Sequence, residues 1–279
     1  MRGCLKTSIF LLVFLYSTLV YLQPLDLNAS WVELAYAETA LDKEWLEQKS
    51  THFIIYYKKE PSPGYIKKVI DYAESYYNKI VDGFGFRRFN FWTWNKRCKI
   101  FLYFSQEQYY NDTGQPLWSG GEVRIRERKI STYIHGEDFL SSVLPHEMGH
   151  LIFREFVGYK TYLPLWLDEG MACLNERKYR KERLLIARGL VRANMYIPLQ
   201  ELTNINDPEL IVMPNIFYAE SASAVDFLLA EFGKDKFLAF CRKIRDGQDW
   251  EESLKKVYKF KDLSELNEKW VEFLSKRKF

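Results

Sequence analysis

The sequence predicts an α+β fold in which a small mixed sheet with helices is followed by a helical lobe. Three observations carry that expectation. Short aromatic and β-branched runs, the mark of strands, are confined to the chain before about residue 136. From Asp138 onward strand signals almost vanish and apolar residues recur at helical spacing. The 279 residues, 47% hydrophobic and 17% aromatic, suffice for one large domain or two lobes sharing a cleft.

In chain order, Arg2 and Lys6 precede an apolar run from Ile9 to Leu22, closed by Pro24, and Ala35-Tyr36-Ala37 has the small-x-small pattern of a cleavage site. Residues 1–37 are therefore expected to be a signal peptide cleaved after Ala37, or else an N-terminal anchor, the run being short for a membrane span. Cys4 lies ahead of the apolar run, where a lipid-attachment cysteine is not expected. Export would place the protein outside the cytoplasm, periplasmic or secreted, touching a membrane only through that segment.

Residues 38–136 read as a sheet lobe. His52 to Tyr57 is a strand ended by Pro61-Ser-Pro-Gly64; Ile66, Val69, Ile70, Ala73, Tyr76, Tyr77 and Ile80 form one face of a helix ending near Gly83. Lys99–Phe104 is a second strand. Gly114–Gly121 is a turn-rich loop, and Glu122–Ile134 is expected to be a third strand with one wet face. Residues 137–279 read as the helical lobe, with segments near 139–157, 166–192, 218–232, 234–246, 249–257 and 262–276. Pro145 is either the first residue of a helix or a kink in one begun near Asp138.

Several conspicuous features are expected to carry no chemistry. Arg124, Arg126, Arg128, Lys129 and the cluster from Arg177 to Arg183 read as solvated faces. Phe89, Phe91, Trp92 and Trp94 read as a loop folded on the core, and His52 and His135 as capping or core residues. Cys98, Cys173 and Cys241 lack CxxC spacing and read as small buried hydrophobes, with one bonded pair as the alternative. A formal charge of +3 makes nucleic acid an unexpected partner.

The chemistry concentrates in His146-Glu147-Met148-Gly149-His150. On a helix, residues at i and i+4 share a face, so the two imidazoles take adjacent corners of a tetrahedral zinc site, while Glu147, one position along, reaches a metal-bound water without ligating. Eighteen residues separate His150 from Glu169 within Trp166-Leu-Asp-Glu-Gly-Met-Ala172, and Glu169 supplies a third ligand from a second helix, leaving one coordination position open.

These motifs resemble the gluzincin metallopeptidases, in the broad group of peptidase MA-like domains. The HExxH–x18–Glu spacing matches the M1 aminopeptidase branch, and WLDEGMA is similar to that branch's WLNEGFA. A thinner likeness continues through Tyr218–Leu228, Gly233–Leu238 and Leu263–Trp270. The resemblance implies a thermolysin-like, two-lobed zincin with its zinc helix between the lobes, acting on a peptide or protein substrate. It makes His146, His150 and Glu169 the zinc ligands, Glu147 the general base and Tyr218 an oxyanion donor. Asp168 either hydrogen-bonds a ligand histidine or faces solvent. The branch's GxMEN motif is missing; only Gly120-Gly121-Glu122 stands at a comparable distance, so Glu122 is a candidate amine anchor and aminopeptidase activity is not implied. The competing expectation is a non-catalytic zinc-binding envelope protein that serves as a binding or assembly module.

Overall fold

The computed structural model describes residues 45–87, 92–115, 119–134, 136 and 138–277. The expected signal segment, Cys4, Phe89, Phe91 and His135 lie outside them.

Five strands form one mixed sheet: β1 (Leu46–Lys49), β2 (Phe53–Tyr57), β3 (Cys98–Tyr103), β4 (Gly121–Arg124) and β5 (Lys129–Tyr133), in the order β1-β2-β3-β5-β4. The three central strands β2, β3 and β5 are parallel; β1 and β4 pair antiparallel at the two edges. One face of the sheet, with Phe53, Ile55, Ile100, Leu102 and Ile130 fully buried or nearly so, packs into a core shared with the helices. Helix α1 (Tyr65–Phe84) buries the seven residues that its periodicity picks out, Ile66 through Ile80.

Glu122–Ile134 is a hairpin and not a single strand. A 3₁₀ turn at Ile125–Glu127 and left-handed Arg128 (φ 48°) reverse the chain between β4 and β5. The sequence carries the reason: Val123 and Ile125 are in phase with each other, but Ile130 is out of phase with both, and a continuous strand cannot put all three on one face. The charges there are also not uniformly solvated, since Arg128 pairs with the nearly buried Glu155, which also accepts from Trp92 Nε1 at 2.8 Å. Trp92 is in the core while Trp94 is exposed. His52 is half-buried, bonded through Nδ1 to Glu74 at 2.6 Å and stacked on Tyr77.

After α2 (Gln106–Thr113) and the hairpin, a π-helical turn at Phe139–Val143 runs straight into α3 (Leu144–Val157). Leu144 N–H bonds back to the Phe139 carbonyl, and this wider turn absorbs Pro145, which has no N–H to donate to a preceding turn. The expected helix over 166–192 is two, α4 (Leu165–Cys173) and α5 (Arg180–Arg192). A short α6 (Leu199–Asn204) follows, then α7 (Pro214–Phe232), α8 (Lys234–Arg245), α9 (Trp250–Tyr258) and α10 (Leu263–Lys276). Helix α7 is buried continuously from Ala219 to Leu228 and is rich in Ala and Ser. Its narrow surface lets α4 lie against it at Gly170, where an added Cβ would stand 2.3 Å from the Ser221 carbonyl oxygen. Cys98, Cys173 and Cys241 are buried free thiols. Among the described residues no helix is long and apolar enough to cross a membrane.

Candidate metal centre and cleft

The first two turns of α3 carry both histidines, and α4, packed against α3, carries Glu169. His146 Nε2 and His150 Nε2 are 3.2 Å apart, and Glu169 Oε2 lies 3.5 Å from each. That oxygen is buried and has no hydrogen-bond partner.

The outer nitrogens of both rings face carboxylates. His146 Nδ1 is 2.8 Å from Glu176 Oε1, and His150 Nδ1 is 3.2 Å from Asp168 Oδ1. Each carboxylate is in turn held by an arginine. Arg154 Nε donates to Asp168 Oδ2 at 2.7 Å, and Arg183 forks Glu176 through Nε (3.0 Å) and Nη2 (3.1 Å). A carboxylate at Nδ1 fixes the proton there and leaves the Nε2 lone pair free. In that tautomer two imidazole lone pairs and a carboxylate oxygen converge at 3.2–3.5 Å, an arrangement that is repulsive unless a cation, a proton or a metal ion, occupies the centre. The residues therefore fit a metal ion.

The electrostatics agree. Burial by itself would lower the His150 pKa, but the Glu169 and Asp168 carboxylates outweigh it and hold the ring up at about 10. Burial likewise opposes a proton on His146, yet contacts with Cys173, Glu169 and Glu176 push that pKa well above the usual range. Burial would raise Glu169, but His150 and His146 hold it well below the carboxylate range. The charge distribution that would trap a proton is the one that would attract a cation. His146, Cys173 and Glu176 form a second cluster of ligand-type side chains. Glu176 is already bonded to His146 Nδ1 and forked by Arg183, so this cluster buttresses His146 from behind.

A cleft of about 910 Å³ opens over the centre, its floor formed by His146, Glu147, His150 and Glu169. Burial, the largest influence on Glu147, raises its carboxyl pKa, which the two histidines only partly oppose. The sheet side of the cleft is Ser119, Gly120 and Gly121 from the approach to edge strand β4. A Cβ at Gly121 would meet Glu147 Oε1 at 2.7 Å, so a side chain at residue 121 would push the Glu147 carboxylate from its present place. On the helical side stand Tyr218, at the start of α7, and Arg183, whose guanidinium lies 5.4 Å from the Tyr218 ring centroid. Burial, followed by the Glu169 charge, pushes the Tyr218 hydroxyl up to about 12.

The structure thus gathers His146, Glu147, His150, Glu169 and Tyr218 around one cleft, with Asp168 behind His150. It does not bring Glu122 there. Strand alternation turns Glu122 to the face of β4 opposite Gly121, where Oε1 accepts from Arg124 Nε at 2.9 Å. Glu176 and Arg183 were not expected. Arg183 belongs to a charge cluster that reads as a solvated face, yet its side chain is mostly buried and turned inward.

Paired histidines on one helix and a carboxylate from the next, beneath an open cleft, define a metallopeptidase-type centre. The family model of the peptidase MA superfamily matches residues 96–276, and the chain belongs to that superfamily. No curated protein matches the chain.

Proposed function

We propose that the chain is an extracytoplasmic zinc peptidase that hydrolyses peptide bonds. The reading rests above all on the convergence of His146 Nε2, His150 Nε2 and the unpartnered Glu169 Oε2 beside the Glu147 carboxyl. A donor set of two imidazoles and one carboxylate suits zinc, which when bound supplies an acidified water and a Lewis acid for the scissile carbonyl. Glu147 takes the water's proton as the carbonyl is attacked and returns it to the leaving amine. Tyr218 remains protonated at neutral pH and donates to the developing oxyanion. Asp168 and Glu176 keep the ligand rings oriented. An extended substrate adds along the free edge of β4, beside Glu147.

A fluorogenic peptide library offered to zinc-loaded protein tests this reading. Turnover abolished by a chelator and restored by zinc is expected. Stoichiometric zinc with no turnover of any peptide would leave a non-catalytic zinc-binding module in its place. Mass spectrometry of the native protein tests the export reading, with a first residue near Glu38 expected; an intact chain beginning at Met1 in the membrane fraction would mean an anchor.

A further inference from the structure

Between α6 and α7 the chain runs Ile205-Asn-Asp-Pro-Glu-Leu-Ile-Val-Met-Pro214, with a 3₁₀ turn at Pro208–Leu210. Four consecutive apolar residues, Leu210 to Met213, occupy its tip. Val212 is 88% exposed, Leu210 55% and Met213 53%, while Ile211 is half-buried against the core and lines the cleft with Pro208 and Pro214. Three large apolar side chains exposed within four residues mark a contact surface.

We propose that this loop is an apolar subsite of the cleft, which selects peptides carrying a bulky apolar side chain on the helical-lobe side of the scissile bond and an apolar flank beyond it. The proposal rests on the peptidase reading above. Continuity decides the occupant: Ile211, Pro208 and Pro214 line the same cleft as His146 and Glu147, so a chain bound across the metal centre runs onto the exposed Leu210–Met213 tip. A lipid surface is the less suited partner. The charged residues from Ile205 to Pro214 are Asp207 and Glu209, with no Lys or Arg, whereas interfacial segments on anionic membranes carry basic flanks. The contrast within the cleft has the same sense. Its sheet wall is Ser119, Gly120 and Gly121, which leave backbone to be paired, while on the helical side Pro208, Ile211 and Pro214 offer methyl and ring carbons next to the polar Tyr218 and Arg183.

The test uses full-length zinc-loaded protein and its Ile211→Asp and Val212→Asp variants, with peptides differing only in Leu, Phe, Asp or Lys at single positions. Val212 is exposed, so its variant folds even where Ile211→Asp does not. The parent is expected to prefer Leu and Phe at one position by about tenfold or more in kcat/KM, and both variants to lose most of that preference. Peptide affinity of Glu147→Gln protein, read by fluorescence anisotropy, should follow the same order without turnover. No cleavage of any peptide, with the apolar order of affinities intact, would overturn the peptidase reading alone. Cleavage without apolar preference, or preference unchanged in Val212→Asp, would overturn the subsite. So would a Val212→Asp change that instead released the protein from lipid vesicles or dissociated a dimer.

Discussion

Replacing Gly170 by alanine puts helix propensity against packing. The new Cβ would stand 2.3 Å from the Ser221 carbonyl oxygen and 2.7 Å from Val225 Cγ2, both on α7. Carbon and oxygen settle no closer than about 3.3 Å, so the helices must separate by about 1 Å. Because the nearest atom is backbone in the buried stretch of α7, no side chain can swing aside to relieve that contact. Overpacking of this kind costs about 1–3 kcal/mol, and alanine's helix preference returns at most about 1 kcal/mol. Because backbone has to move, the cost falls in the upper part of that range, about 2–3 kcal/mol, and the net loss of about 1–2 kcal/mol lowers Tm by roughly 2–8 °C in a domain of this size. Function suffers more. Glu169 precedes the altered residue and Tyr218 lies one turn before Ser221, so the displacement reaches both walls of the cleft, and about 1 Å of misplacement can cost 10²-fold in rate. Thermal unfolding followed by circular dichroism, alongside peptide turnover, measures both. A Tm for Gly170→Ala equal to or above the parent's would mean that propensity wins and that α4 and α7 are not in backbone contact.

Glu176→Gln removes the charge that fixes the His146 tautomer and is expected to weaken zinc binding about 10–100-fold in competition with a chromogenic chelator; unchanged affinity would detach Glu176 from the centre. Tyr218→Phe is expected to reduce kcat by about 10²–10³-fold with little change in peptide affinity, and a loss expressed only in KM would remove the hydroxyl from the transition state. Burial raises the Glu220 carboxyl from its ordinary 4.5 to about 8 against one backbone hydrogen bond from Ile197. A carboxyl whose folded pKa is raised holds its proton more tightly when native, so its contribution is fully present below pH 4.5 and is lost as pH rises through about 8. Relative to Glu220→Gln, the parent should therefore lose up to roughly 1.4 kcal/mol of stability per pH unit across that window. Parallel stability curves for the two proteins from pH 5 to 9 would show that Glu220 does not titrate there.

The convergence of His146, His150 and Glu169 was legible because its geometry is local. His146 and His150 share a face by helical period alone, and Glu169 needed only a second helix against the first. Helix α1 was legible for the same reason, its apolar positions sharing one face. Features that depend on how elements meet were harder. The β4–β5 reversal was visible only as a phase change between Ile125 and Ile130. Glu176 and Arg183 were hidden by a break between α4 and α5 that periodicity did not reveal: Glu176 lies in the connection and Arg183 on the next helix. Arg183 sat in a run of like charges whose surface reading is right for its exposed neighbour Lys181 and wrong for itself. Glu122 failed oppositely: its place in the sequence was suggestive, but strand alternation turns it from the cleft and leaves Gly121 against Glu147.

The central claim is that metal binding and proton transfer reside in different side chains one residue apart. Glu147→Gln keeps the side chain's shape, leaves His146, His150 and Glu169 intact and removes the group that accepts a proton. Zinc content and peptide turnover measured on the same preparation test it most directly. One zinc per chain is expected, with turnover reduced by at least about 10²–10⁴-fold. Wild-type turnover in Glu147→Gln, or loss of zinc together with activity, would contradict the division of labour on which the account rests.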